Sequence, residues 1–215
     1  MAQSVISIDV VADVICPWCF LGKRRLDKAL TQVSDIKVEV NNRPFFLDPT
    51  IPPEGLDRHK YMAEKFGEAR LATIHTPLEE MGAKDGVPYQ FDKIKRTPNT
   101  LNAHRLIRWA QQAGRQPAVV EALFMAYWNE GRDVGDHDTL AAIASESGMD
   151  GREVAQLLKQ DTDKQAVLTE AQRAVEMGVT GVPTFILQQR FGISGAQEVD
   201  VLVDAIKKVA AQANS

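Results

Sequence analysis

Both cysteines of the chain lie in one short segment, Cys16-Pro17-Trp18-Cys19. This pair constrains the fold more than any other feature, because of what flanks it. The preceding residues 5–14, VISIDVVADV, are rich in β-branched side chains and predict a buried strand. After the pair, apolar residues recur at roughly helical intervals, and Pro17 suits the first turn of a helix. The sequence therefore predicts a strand that delivers Cys16 to a helix N-terminus.

This placement indicates a redox-active pair. The four-residue segment is short enough for the two sulfurs to bond with little rearrangement of the chain. Unsatisfied N–H groups and the helix dipole favour a thiolate at Cys16. We therefore predict that Cys16 is the nucleophile. Cys19, one turn inside the helix, is then the resolving thiol, which breaks a mixed disulfide by attacking Cys16.

Two other roles were weighed for the thiols. A structural zinc site normally needs four ligands. The four histidines show no H-x(3–5)-H spacing, so no metal site is predicted: His59, His75, His104 and His137. Free cysteines are also common in protein cores. A C-x-x-C pair between a β-rich run and an amphipathic helix nevertheless favours redox chemistry over two ordinary buried thiols.

The remaining segments predict an α/β order with a long helical block. Residues 36–47 predict a second strand, and the proline-rich residues 48–55 predict a loop. Beyond these, apolar residues recur with helical spacing, as in 68–82, EARLATIHTPLEEMG, although 85–96 is less regular. Residues 182–197 then predict two strands joined by a turn, followed by a closing helix.

We accordingly divide the chain into two parts. Residues 1–57 and 173–215 are assigned to one discontinuous domain, and residues 58–172 to a helical insertion. Aromatic residues within the insertion recur at helical spacing and are predicted to be core: Trp109, Phe124, Tyr127 and Trp128.

Charge and hydropathy argue against two classes of partner. The chain has 25 Lys and Arg against 29 Asp and Glu, a net charge of -4, and no basic stripe. We therefore predict binding to neither nucleic acid nor a membrane surface. The N-terminus lacks the features of a secretory signal, and no run is long enough to span a bilayer. Taken as a full gene product, the sequence predicts a cytoplasmic protein, where a close thiol pair is more often catalytic than structural.

The motif CPWC after an N-terminal strand, together with GVTGVPTFIL near the C-terminus, resembles the thioredoxin-like DsbA family. RPFFLDPTIPPEG, TPNTLNAHRL and ISGAQ are similar to recurrent segments of its FrnE-like branch, which is related to 2-hydroxychromene-2-carboxylate isomerase. The resemblance covers nearly the whole chain. It implies a thioredoxin-like fold with a large inserted all-helical subdomain. It also implies a cis peptide bond at Val182-Pro183 beside the cysteines, with the Val182 backbone available to an extended substrate.

Other residues gain roles from this resemblance. Strong oxidants of the family commonly carry His at the position of Trp18, and because Trp supplies no positive charge we expect a less oxidising couple. Arg43 follows a predicted strand and has two open interpretations. It either places a positive charge that stabilises the Cys16 thiolate or binds an anionic substrate, or it is a solvated surface arginine. The resemblance implies that the helix with Asn102 and His104 faces the groove over Cys16, although a single helical His is more often a core residue.

Asp13 precedes the cysteine pair and has two open interpretations. It is either a buried proton acceptor for Cys19 or an exposed residue at the end of the strand. The sequence does not decide between them.

The predicted activity is that of a thiol–disulfide oxidoreductase, of the protein disulfide oxidoreductase or isomerase type. The dithiol carries the chemistry, so no cofactor or metal is required. Thiol-containing proteins or small thiols are the expected partners, with glutathione a candidate substrate or reductant. Two alternatives stay open: a glutathione-linked isomerase or transferase of the 2-hydroxychromene-2-carboxylate isomerase or kappa class, and a binding protein whose cysteines are vestigial. The first of these classes usually has Ser where Cys16 stands.

Overall fold

A computed structural model describes residues 5–71 and 73–213, and its central element is a mixed four-stranded sheet in the order β2-β1-β5-β6. β1 is parallel to β2 and antiparallel to β5, which is antiparallel to β6. The two remaining short strands, β3 and β4, form a separate antiparallel pair. The strands are β1 (Ile6–Ala12), β2 (Val38–Pro44), β3 (Leu56–Asp57), β4 (Arg96–Thr97), β5 (Thr184–Leu187) and β6 (Phe191–Ser194).

Most of the chain outside the sheet is helical. A short 3₁₀ turn spans Phe91–Lys93, and a π-helical turn, Ala126–Glu130, continues α6. The α-helices are α1 (Pro17–Gln32), α2 (Arg58–Phe66), α3 (Glu68–Leu71), α4 (Thr76–Asp85), α5 (Leu101–Gln112), α6 (Gln116–Met125), α7 (His137–Glu146), α8 (Gly151–Leu158), α9 (Lys164–Glu176) and α10 (Val199–Ala213). No helix of the described residues is both long enough and apolar enough to cross a membrane.

Strand alternation distributes β1 between two layers. Ile6, Ile8 and Val10 are buried in a core that also contains residues of α1 and α10. Val11 points the other way and packs with Ala174 of α9. The sheet is therefore covered on both faces at the end of β1, where Val10 and Val11 are both buried, whereas Ser7 and Asp9 alternate with buried residues in its first half.

The predicted fold class is confirmed, because the order strand, helix, strand, helical block, hairpin and helix is the order observed. One local prediction was wrong: residues 68–82 form two helices, α3 and α4, rather than one periodic segment. The sequence analysis did not predict β3 and β4, because a strand of two residues is too short to show an alternation of apolar and polar side chains. The domain boundaries stay a prediction, and α9 continues across the proposed division at residue 172. The predicted domains also include residues 1–4, 72, 214 and 215, which lie outside the described residues.

A buried ion pair joins α1 to α4. Arg25, 3% exposed, donates from Nε to Asp85 Oδ2 at 2.7 Å and from Nη1 to the Ala196 carbonyl at 2.7 Å. Lys28 adds a second contact to Asp85, at 2.8 Å. Burial acts to raise the pKa of Asp85, but the hydrogen bonds from Lys28 and Arg25 outweigh it and the pKa is lowered. The pair thus links the helix that carries the cysteines to the insertion.

We expect Asp85→Asn to lower the free energy of unfolding by about 3 kcal/mol, because it removes the buried carboxylate partner of Arg25. Among the described residues, the guanidinium then keeps only Glu198 as an acidic partner, at 2.8 Å, and the side chain of Glu198 is 64% exposed. A lowered folded-state pKa means that the contribution of Asp85 is fully present above the ordinary aspartate pKa of 3.8 and is lost as the pH falls below it. Urea unfolding of wild type and variant at several pH values measures both effects.

Asp27→Asn is the matched control. Asp27 accepts from Lys23 at 2.7 Å but its side chain is 47% exposed. Its removal should cost less than about 0.5 kcal/mol, as for exposed helix pairs. Equal losses in the two variants would contradict the structural importance of the buried pair.

Candidate active site

The cysteine pair occupies the N-terminus of α1. Cys16 is the N-cap residue, with an extended backbone (φ -92°, ψ 113°), and Pro17 opens the helix. The Cys16 N–H donates to the Asp13 carbonyl at 3.1 Å, and the Cys19 N–H donates to the Cys16 carbonyl at 3.0 Å. Both thiols are free and buried, with residue exposures of 3% and 2%. The strand-to-helix junction thus places Cys16 where a helix terminus favours negative charge.

The thiol of Cys19 is held in its neutral form. Burial, the hydrogen bond with Cys16 and the charge of an ionised Cys16 raise the pKa of Cys19 well above its usual range. Cys19 is therefore a neutral thiol near pH 7. Cys16, by contrast, lines a cavity that Cys19 does not reach. This asymmetry suits one attacking and one resolving thiol.

A loop before β5 lies against the pair. The Val182-Pro183 peptide bond is cis, and the Cys16 thiol donates to the Val182 carbonyl at 3.6 Å. The backbone of α1 lies against Pro183 at Gly22, where an added Cβ would be 2.8 Å from Cγ of the proline. Glycine at this position therefore lets α1 pack directly on the proline ring.

The helical insertion contributes to the site directly. Trp128 donates from Nε1 to the Val14 carbonyl at 2.9 Å, and the Tyr89 hydroxyl donates to the Pro17 carbonyl at 2.5 Å. Phe20 of α1 stacks on Phe124 with ring centroids 5.1 Å apart. The backbone on both sides of Cys16 is thus held by groups from the insertion.

The sequence reasoning found these groups only in part. The predicted core aromatics are all buried, which confirms that interpretation: Trp109, Phe124, Tyr127 and Trp128. Tyr89 was missed because it lies in the irregular residues 85–96, where no period singles it out. Burial raises the pKa of Tyr89, with further contributions from Cys16 and Cys19, so that it remains a hydrogen-bond donor.

His104 lies behind the cysteine pair rather than in its cavity. Its Nε2 is 3.1 Å from the Phe45 carbonyl and 3.4 Å from Asp13 Oδ1. Asp13 is 1% exposed and its Oδ2 accepts from the Leu47 N–H at 2.8 Å. The exposed interpretation of Asp13 was therefore wrong. The substrate-binding role of His104 stays a prediction.

Arg43 is engaged by acidic partners. Its Nε lies 2.9 Å from Asp9 Oδ1, and its Nη1 lies 2.9 Å from Glu170 Oε1. The second contact reaches α9, so the guanidinium links β1, β2 and the insertion. Its predicted role beside Cys16 or an anionic substrate stays a prediction.

Asn102 is likewise engaged within the insertion. Its Oδ1 accepts from Arg105 Nη1 at 2.8 Å, and its Nδ2 lies 3.0 Å from His137 Nε2. Substrate contact by Asn102 also stays a prediction.

A cavity of about 470 Å³ opens beside the thiol of Cys16. Cys16, Trp18 and Val182 form its wall on the sheet side, and Trp18 is 41% exposed. The opposite wall comes from α2, α4, the 3₁₀ turn and the π-helical turn. Among the described residues, no cluster of three or more His, Cys, Asp or Glu could hold a metal ion.

The mixed sheet, the C-x-x-C pair at the start of α1 and the adjacent Val182-Pro183 loop define a thioredoxin-like protein. The chain belongs to the DsbA family, since the family model for the DSBA-like thioredoxin domain matches residues 7–207. The resemblance read from the sequence motifs is confirmed at this level.

Individual proteins support the assignment. The uncharacterized protein YwbO of Bacillus subtilis is 30% identical over 205 residues, which cover 94% of this chain and 96% of that one. The crystal structure of a probable DsbA oxidoreductase from Streptomyces coelicolor superposes with a TM-score of 0.87 at 29% identity, covering 94% of this chain and 89% of that one. A 2-hydroxychromene-2-carboxylate isomerase structure matches with a TM-score of 0.71 at 18% identity, covering 97% and 98%. The last match shows the shared fold.

We expect the two thiols to be alkylated at very different rates. At pH 7 the thiol of Cys19 in a Cys16→Ser variant should react with iodoacetamide more slowly than that of Cys16 in a Cys19→Ser variant, by about tenfold or more, because the thiolate is the reacting form and burial disfavours it at Cys19. Burial is the first cause of the raised Cys19 pKa and persists in the Cys16→Ser variant. Mass spectrometry follows the reaction; equal rates would contradict the assignment.

Gly22→Ala should disturb the packing of α1 on Pro183. Alanine ordinarily stabilises a helix by about 1 kcal/mol relative to glycine, but overpacking costs about 1–3 kcal/mol. We therefore expect no gain in the free energy of unfolding and a changed rate of Cys16 alkylation. Gly181→Ala is the control, because a Cβ there meets nothing within 4 Å. A stabilised Gly22→Ala protein with unchanged Cys16 reactivity would show that the contact is unimportant.

Proposed function

We propose that the chain is a thiol–disulfide oxidoreductase that uses Cys16 and Cys19 as a dithiol/disulfide centre. The observation that carries the proposal is the pair itself: two free thiols at the start of α1, in hydrogen-bond contact, of which Cys16 lines the cavity of about 470 Å³ and Cys19 does not. Membership of the DsbA family supports the same chemistry. Pro17, Trp18 and Pro183 are proposed to support the centre, and Val182 to bind substrate through its backbone.

The reaction balances without a further reagent. The thiolate of Cys16 attacks one sulfur of a substrate disulfide, whose S–S bond breaks, and the first substrate thiol leaves as the mixed disulfide forms. Cys19, after losing its proton, attacks Cys16 Sγ and expels the second substrate thiol. The substrate gains two electrons and two protons, and the protein is left with a Cys16–Cys19 disulfide. The reverse sequence oxidises a dithiol.

The local structure supports this division of roles. Cys16 faces the cavity and can meet an incoming sulfur, whereas Cys19 is shielded and neutral near pH 7. A neutral resolving thiol attacks slowly until it is deprotonated, so the mixed disulfide persists until Cys19 loses its proton. Protein thiols or small thiols such as glutathione are the proposed partners, no cofactor is needed, and the cytoplasm remains the predicted location.

A glutathione-linked isomerase remains the second candidate. The cavity of about 470 Å³ favours it, because that volume is ordinary for a small-molecule site. Retention of both cysteines favours the redox reaction, since an isomerase of that type has no need of Cys19.

The deciding experiment equilibrates the protein with graded ratios of reduced and oxidised glutathione. We expect a reversible Cys16–Cys19 disulfide, measured by mass and by Trp18 fluorescence, with a potential less oxidising than that of the strong oxidants that carry His in place of Trp18. Cys19→Ser should accumulate mixed disulfides at Cys16, and Cys16→Ser should lose the activity.

Two results would overturn the proposal. If no intramolecular bond forms, the dithiol mechanism fails and glutathione-dependent isomerisation becomes the assay to run. If Cys19→Ser retains full turnover with disulfide substrates, Cys19 is not the resolving thiol.

A further inference from the structure

Arg58 is a buried cation without an acidic partner. It opens α2 and is 9% exposed. Its Nη1 donates to the Tyr127 hydroxyl at 3.2 Å, and its guanidinium carbon lies 5.5 Å from the centre of the Trp128 ring. Among the described residues, no carboxylate oxygen lies within 4 Å of it. Because buried charges are normally paired, the guanidinium of Arg58 is available to bind an anion from outside the chain.

Arg58 lines the same cavity as Cys16, and so do His75 and Thr97. His75 Nε2 is buried and has no hydrogen-bond partner among the described residues. The Thr97 hydroxyl is also buried and lies beside the Tyr127 hydroxyl, to which Arg58 donates. His75 is stacked on Phe91 at 3.9 Å, which fixes the orientation of its ring. The cavity thus holds a guanidinium without a carboxylate partner and an imidazole nitrogen without a hydrogen bond, although buried polar groups are ordinarily satisfied.

The charge of the cavity is set by Arg58. Lys65 also lines the cavity, but its Nζ contacts the Tyr61 hydroxyl at 2.7 Å and Asp48 at 3.3 Å. Burial, followed by the positive charge of Arg58, lowers the pKa of His75 and outweighs the opposite effect of Asp92, so that the ring is neutral near pH 7. A neutral imidazole and a hydroxyl can each donate or accept a hydrogen bond beside a guanidinium.

The rest of the wall is apolar. It includes Leu78, Phe91 and Trp128 from the insertion and Ile15 next to the reactive thiol. A ligand that satisfies this cavity therefore has an anionic end and an apolar body. An aromatic or branched carboxylate fits that description, and an arginine fork matches carboxylate geometry.

We propose that this cavity binds the acidic end of a small organic carboxylate whose thiol or disulfide sulfur reacts with Cys16, with Arg58 as the anion-binding residue and His75 and Thr97 as its polar neighbours. The inference rests on the proposed function and names its substrate class. The exchange reaction is the one given above, and the carboxylate takes no part in the bond changes. Substrate selection then lies in the insertion, whereas the redox chemistry lies at α1.

The test compares two aromatic disulfides that differ in charge. The reduced protein is mixed with dithiobis-nitrobenzoate, which carries one carboxylate on each ring, or with neutral dipyridyl disulfide, and the rate constants are measured. Their ratio is the readout, because a change in the thiolate fraction of Cys16 affects both reactions equally. We expect Arg58→Gln to lower the ratio of anionic to neutral rate constants by about tenfold or more, as for loss of a hydrogen bond to a charged group.

Two control variants separate position from charge. Arg132→Gln removes one positive charge from a half-buried residue that pairs with Glu146 and does not line the cavity, and it should leave the ratio within about twofold because charges outside the cavity are screened by salt. Arg58→Lys keeps the charge but loses the fork, and should restore part of the ratio. If Arg58→Gln changes the ratio of rate constants no more than Arg132→Gln does, Arg58 does not bind the anion. That result would leave the proposed redox role of Cys16 and Cys19 unaffected.

A measurement on the wild-type protein guards against misfolding of the Arg58 variants. Benzoate should slow the reaction with dipyridyl disulfide, whereas the neutral isostere benzamide should have little effect. Equal effects of benzoate and benzamide would overturn the anion site. If neither disulfide produces a Cys16–Cys19 bond in the wild type, it is the proposed oxidoreductase function that fails.

Discussion

Two hydrogen bonds from the insertion to the backbone around Cys16 are the interactions on which the site depends. Trp128 binds the Val14 carbonyl before the cysteine pair, and Tyr89 binds the Pro17 carbonyl within it. Both donors are large and buried, so their polar atoms must find partners when the insertion packs. The strand-to-helix junction provides those partners. The reactive thiol is therefore positioned jointly by the sheet-bearing part of the chain and by the insertion.

Three buried arginines show how the fold treats positive charge. Arg25 is neutralised by Asp85, and Arg105, fully buried, donates to backbone carbonyls near the C-terminal end of α8 and to Asn102. Both therefore act as structural links between elements. Arg58 differs, since its contacts are a phenol and an indole and it borders the cavity beside the reactive thiol. The contrast is what makes Arg58 a ligand-binding residue in our interpretation rather than another structural link.

Much of the fold was predictable because local pattern and tertiary role agree. The β-branched run of β1, the amphipathic α10 and the strand–turn–strand of β5 and β6 all appear near their predicted positions. The last of these has two non-glycine turn residues with left-handed backbone, Gln188 and Gln189, at φ 50° and 54°. Prediction failed where elements are short: the break between α3 and α4 interrupts an apparently periodic segment, and this break is where His75 enters the cavity.

The sequence by itself determined that the two thiols lie together, because residues three apart at a strand-to-helix junction are brought close by local geometry alone. It also indicated the family, through motifs at both ends of the chain. Only the tertiary structure decided what surrounds the thiols. Arg58, His75 and Thr97 are far from Cys16 along the chain and come together through the packing of separate elements. The local periodicity of apolar residues in the sequence does not predict such contacts. Tertiary packing also decided the partners of two predicted site residues. Arg43 contacts Asp9 and Glu170, and Asn102 contacts Arg105 and His137. These partners follow from the placement of helices and strands, which the neighbouring residues in the sequence do not specify.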